Sequence, residues 1–95
     1  MNASHVEVQV QSGKAAEAIQ RTKELTVDIG TIPNIKRFML IDQGDDKALF
    51  IAFYDTAEEQ ERATPKAQEL LGALADLMAA PPKRIQVEVA IDHTF

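Results

Sequence analysis

Apolar and polar residues alternate over residues 5–11, with Val6, Val8 and Val10 on one side and His5, Glu7, Gln9 and Gln11 on the other. A period of two is that of a strand with one dry and one wet face. Ser12-Gly13 ends this strand and opens a helix. From residue 14 to about 25 the period becomes helical. Ala15, Ala18, Ile19 and Thr22 fall at i, i+3, i+4 and i+7, a narrow stripe of small residues that lets a helix lie close to a sheet. Residues 26–34 read as a loop, punctuated by Gly30 and Pro33.

A second strand is predicted over residues 35–42 and a third over residues 47–54, joined by the turn Gln43-Gly44-Asp45-Asp46. The third strand is apolar on both sides: Leu49, Ile51 and Phe53 on one, Phe50, Ala52 and Tyr54 on the other. Asp55-Thr56 begins the second helical region, with Thr56 and Glu59 spaced as a capping box. Ala63, Ala67, Leu70, Leu71, Leu74, Leu77 and Met78 hold a helical period. Thr64-Pro65 reads as a fresh helix start, which predicts a kink or two abutting helices. Pro81-Pro82 stops the helix. The last strand is predicted over residues 84–92, with Ile85, Val87, Val89 and Ile91 facing one way and Gln86, Glu88, Ala90 and Asp92 the other, before a short tail.

The order strand–helix–strand–strand–helix–strand is the ferredoxin-like βαββαβ arrangement: one α+β domain over residues 1–95 with a four-stranded antiparallel sheet. Right-handed crossovers put both helices on one sheet face. The Val6/Val8/Val10 and Ile85/Val87/Val89/Ile91 stripes are expected to meet them. On the opposite face the third strand presents three apolar side chains, and the second strand adds either Phe38 and Leu40 or Met39 and Ile41. Each forfeits roughly 1.5–3 kcal/mol if left exposed, and such a patch marks an interface. The simplest cover is the same face of a second copy, so a homodimer through the sheet faces is expected.

Composition narrows the classes. The net charge of −5 disfavours a nucleic-acid partner or an anionic membrane surface, both of which need a basic face. With no cysteine, disulfide scaffolds, thiolate nucleophiles and cysteine metal sites are excluded. No secretory signal and no apolar run of membrane-spanning length is visible, so the cytoplasm is the expected compartment.

Chemistry-bearing residues are few. His5 and Glu7 share one strand face, and Gln86 and Glu88 approach them if the last strand lies beside the first. A histidine with carboxylates on a partly buried face suits a general base or a metal site; the plainer reading is the wet half of a strand. Arg37 has the fork of donors that grips a carboxylate, or serves in a surface ion pair. Tyr54 can orient or protonate a ligand, or act as a packed aromatic. Phe38, Phe50 and Phe53 are candidates to line an apolar pocket, or are plain core. No cofactor or metal set emerges from these residues.

Three passages resemble the dimeric α+β barrel superfamily, in its antibiotic-biosynthesis-monooxygenase-like branch. They are Val6-Glu7-Val8-Gln9-Val10 running into Lys14-Ala15-Ala16-Glu17; Ile32-Pro33-Asn34-Ile35-Lys36-Arg37-Phe38, where Asn34 stands in a place the family often gives to Gly; and Phe53-Tyr54-Asp55-Thr56-Ala57-Glu58. The ending from Pro81-Pro82 through Val87-Glu88-Val89 to His93 is also similar. The resemblance implies a homodimer with a pocket between helices and sheet. It also implies cofactor-independent oxygenation of an aromatic or other small organic substrate, haem degradation, or ligand binding without catalysis. Characterised oxygenases and haem-degrading members rely on a pocket Trp, and this chain has none. The haem-degrading members also use an Asn in the first strand, where Glu7, Gln9 and Gln11 stand here. Those catalytic sets do not carry over. The expected function is therefore a monooxygenase-like small-molecule enzyme working without a metal, the alternative a non-catalytic ligand-binding or regulatory homodimer.

Overall fold

The alternating segments pair into one sheet. The computed structural model describes residues 1–95 throughout. Its elements are β1 (Asn2–Gln9), α1 (Ala15–Glu24), α2 (Thr26–Ile29), β2 (Arg37–Gly44), β3 (Lys47–Tyr54), α3 (Ala57–Gly72) and β4 (Lys83–Glu88), with one 3₁₀ turn at Ala75–Leu77. The strands run antiparallel in the order β2-β3-β1-β4. This is the α+β ferredoxin-like arrangement expected from the order of elements. The strand that is apolar on both sides, β3, lies inside the sheet, hydrogen-bonded to β2 along one edge and β1 along the other.

Several boundaries differ from expectation, each for a local reason. β1 begins at Asn2, because Asn2, Ala3 and Ser4 pair with β3 on one side and β4 on the other. β4 stops at Glu88, which lies opposite Asn2; beyond it the Val89 N–H donates to the Met1 carbonyl, and β1 offers no further partner. Ser12 does not cap α1. Gly13 stands at φ +78°, and Lys14 takes the cap position without a side-chain hydrogen bond. The loop expected at residues 26–34 contains α2, whose Ile29 is buried together with Ile32. Asn34 has φ +61°, a conformation that Gly or Asn adopts most readily.

In α3, Thr56 Oγ1 accepts from the Glu59 N–H at 3.1 Å, the forward half of the capping box. The return half does not form, and Glu59 Oε2 is buried without a partner. The helix runs as one element through Pro65. Thr64 Oγ1 donates to the Gln60 carbonyl at 3.1 Å beside the missing backbone donor. It ends at Gly72 rather than near Met78; the apolar period continues through the 3₁₀ turn, and Met78 instead bridges to Val10. Between β2 and β3, Asp45 and Asp46 are both left-handed, at φ +54° and +59°, as a tight type I′ hairpin requires.

Register decides which side chains face the helices. Val6, Val8 and Val10 are buried under them with Phe50 and Leu74. A second cluster joins Ile29, Ile32, Tyr54 and Ala63. On β4 the expected polarity is reversed. Ile85 lies opposite His5 and Val87 opposite Ala3, while Arg84 lies opposite Val6 and Gln86 opposite Ser4. Since Val6 points at the helices, Arg84, Gln86 and Glu88 take the helix side. Ile85 and Val87 take the open side, where they are 55% and 39% exposed. The β4 stripe was expected under the helices because its alternation is equally regular in either sense; pairing with β1 chooses the sense, and Arg84 meets the hydroxyls of Thr64 on α3 and Ser4 on β1. The open face therefore carries Leu49, Ile51 and Phe53 from β3, Met39 and Ile41 from β2, and Ile85 and Val87 from β4.

Candidate functional site

A cleft of about 70 Å³ lies between the helices and the sheet. The small stripe of α1 and the short α2 leave this gap, because Thr22, Leu25 and Ile29 do not reach fully across to the sheet residues Val6, Phe50 and Ala52. Its walls are mostly apolar. Phe38 and Phe50 meet edge to face on its floor, ring centroids 5.9 Å apart at 72°. The lining contains no carboxylate, no histidine and a single ionisable side chain, Arg84.

Arg84 heads a small polar network. Its Nη2 donates to Ser4 Oγ at 3.1 Å and to Thr64 Oγ1 at 3.0 Å. Gln60, 1% exposed, donates from Nε2 to the same Ser4 Oγ at 2.8 Å. Its Oε1 is buried without a partner. None of the chain's ion pairs involves Arg84. Tyr54, 1% exposed, lies at this end of the core. Burial pushes its phenol above the ordinary value, and the Arg84 charge pulls it part of the way back.

The residues singled out from the sequence are divided by the sheet. Phe38 and Phe50 line the cleft, and Tyr54 packs on the same face. Phe53 lies opposite Arg37, with Ala3 as its β1 partner, on the open face. His5 and Glu7 also belong to the open face, with Ile85 and Lys83 as their β4 partners. The expected approach of Gln86 and Glu88 to His5 and Glu7 does not occur, because those two lie on the helix side. His5 Nδ1 is buried without a partner. Glu7 and Lys83 border a broad polar hollow of about 450 Å³ at one end of the open face. Arg37 is exposed on β2, outside every ion pair of the chain. No group of three or more His, Asp or Glu side chains is gathered closely enough to hold a metal ion. No helix is long and apolar enough to cross a membrane.

Sequence reasoning missed Arg84, Ser4, Gln60 and Thr64. The available signal was the β4 alternation itself: reversing it puts Arg84 inside, and Ser4 then shares its side with Val6 and Val8.

No family model and no curated protein matches the chain. Solved structures match its fold along its whole length. A putative antibiotic biosynthesis monooxygenase from Nitrosomonas europaea is 18% identical, with a TM-score of 0.77 over 96% of this chain and 100% of its own. A protein of unknown function from the same organism is 14% identical, with a TM-score of 0.82 over 98% and 92%. A variant of MhuD with two manganese protoporphyrin IX molecules bound per active site is 16% identical, with a TM-score of 0.74 over 100% of each chain. The fold is that of the antibiotic-biosynthesis-monooxygenase-like proteins.

Proposed function

We propose that this chain, on its monooxygenase-like fold, is a homodimeric small-molecule enzyme that uses the helix–sheet cleft for an aromatic or other small organic substrate, without a metal. The observation that carries the reading is the cleft itself: two phenylalanines set edge to face, aliphatic walls and one cationic group at one end. Such a mostly apolar site with a few polar groups is the usual form of a ligand pocket. Cofactor-independent oxygenation needs an electron-rich substrate that reacts as its anion, and a guanidinium stabilises developing negative charge. Dimerisation through the open sheet faces is part of the proposal. It rests on the exposed Ile41 of β2 and Ile85 and Val87 of β4, with the half-buried Leu49, Ile51 and Phe53 of β3 on the same face.

The second reading, a non-catalytic ligand-binding homodimer, is favoured by one feature: the lining holds no carboxylate or histidine to take a proton. Oxygen uptake measured with a panel of single-ring phenols, quinols and hydroxybenzoates separates the two. Consumption of oxygen that scales with enzyme supports the enzyme. Thermal stabilisation by the same compounds without oxygen uptake assigns the binder. Neither effect with any compound overturns both.

A further inference from the structure

We infer that Arg84 is an anion subsite, and that the molecule the cleft takes is a small aromatic or branched aliphatic carboxylate with its acid group on that guanidinium. This deepens the small-molecule reading and rests on it. A guanidinium has five N–H donors. Both hydrogen bonds that Arg84 makes within the chain leave from Nη2, so Nε and Nη1 have no acceptor in the protein. The missing acceptor is not supplied by a neighbouring acid. Glu88 is on the same side of β4 but four residues along, roughly 13 Å at the rise of a strand, and exposed. Arg84 is half-buried, and neither Nε nor Nη1 is among the chain's buried unpartnered atoms, so both are open to an acceptor that enters the cleft.

The surroundings also select an acceptor-only group. Ser4 Oγ accepts from both Gln60 and Arg84, which occupies its lone pairs and leaves its proton with no acceptor in the chain. Thr64 accepts from Arg84 and spends its own proton on the Gln60 carbonyl. Of this network only Ser4 and Arg84 line the cleft, and both have protons to give there; the unpartnered acceptor, Gln60 Oε1, is buried behind them. A carboxylate meets those protons with two oxygens and can pair bidentately with the fork. At about 70 Å³ the cleft is well below the roughly 300–1,000 Å³ of drug-sized sites, so the apolar body is a single ring or a short branched chain against Phe38 and Phe50.

Two probes of one size test this: benzoate and benzyl alcohol, titrated calorimetrically into the full chain and into Arg84→Gln. Wild type is expected to bind benzoate about tenfold or more tightly than the alcohol, because an ionised acceptor strengthens the hydrogen bond. Arg84→Gln is expected to lose that preference through weaker benzoate binding alone, with the alcohol unchanged. Equal affinities in wild type, or a benzoate preference that survives in Arg84→Gln, overturn the anion subsite. The wild-type comparison decides even if the variant fails to fold. Binding of the alcohol with no binding of benzoate also overturns the subsite but leaves the cleft reading standing. No binding of either probe overturns the cleft reading and the subsite with it.

Discussion

Tyr54 is the only tyrosine, and the chain has no tryptophan, so its near-ultraviolet absorbance follows one phenol. Packing against Ile29, Ile32 and Ala63 disfavours the phenolate, which places the folded-state value above the ordinary 10.0 despite the opposing charge of Arg84. A raised value means that the fold prefers the neutral ring. That contribution to stability is complete below the ordinary value and is lost as pH rises through the folded one. A spectrophotometric titration of the native protein is expected to give a tyrosinate midpoint above 10.0, falling to about 10 in denaturant. Tyr54→Phe is expected to flatten the loss of stability at alkaline pH. A native midpoint at or below the denatured one contradicts the burial argument. At this scale the sequence showed which residue types were present but not which of two arginines mattered. Arg37 is the first residue of β2 and Arg84 the second of β4; only pairing puts one on the open face and the other beside Ser4.

Elements were the most legible level. Four strands, the main helices and the turn at Asp45-Asp46 follow from periodicity and turn chemistry, because a β-strand and a helix repeat their burial at different intervals. The boundaries moved where a partner strand, not the chain itself, sets the limit, as at Asn2 and Glu88. The orientation of β4 was illegible for a sharper reason. Ile85, Val87, Val89 and Ile91 form as regular a stripe as any in the chain, yet a sheet has two apolar faces when one of them is left open, and a stripe does not say which it serves. The cleft inherited that ambiguity. The helix start at Thr56 gives a direct test. Removing its cap in Thr56→Ala is expected to cost about 1 kcal/mol in urea unfolding with an unchanged slope. The loss is expected to be limited to that bond, since the reciprocal contact from Glu59 is absent. A destabilisation near zero would mean that the first turn of α3 contributes nothing to the folded state.

For the whole molecule, one sheet serves two surfaces. Helices cover one, and the other carries Ile51 at its centre between His5 on β1 and Met39 on β2. If a second copy covers this face, wild type sediments at twice the chain mass, and Ile51→Glu is expected to sediment as a single chain while keeping its secondary structure, since Ile51 faces away from the core clusters. A wild-type chain that stays single at high concentration removes the homodimer. The two borders of the sheet are also unequal. β2 is interrupted by a bulge between Asp42 and Gly44 and bears charge at Arg37 and Asp42. β4 has no bulge and carries charge at its two ends, Lys83 and Glu88, while the apolar alternation runs on past it to Ile91, 86% exposed. Unguarded borders recruit strands from other molecules. Concentrated stocks are therefore expected to turn cloudy by growth along β4, and Ile91→Lys to extend their shelf life, measured as a longer lag before light scattering rises.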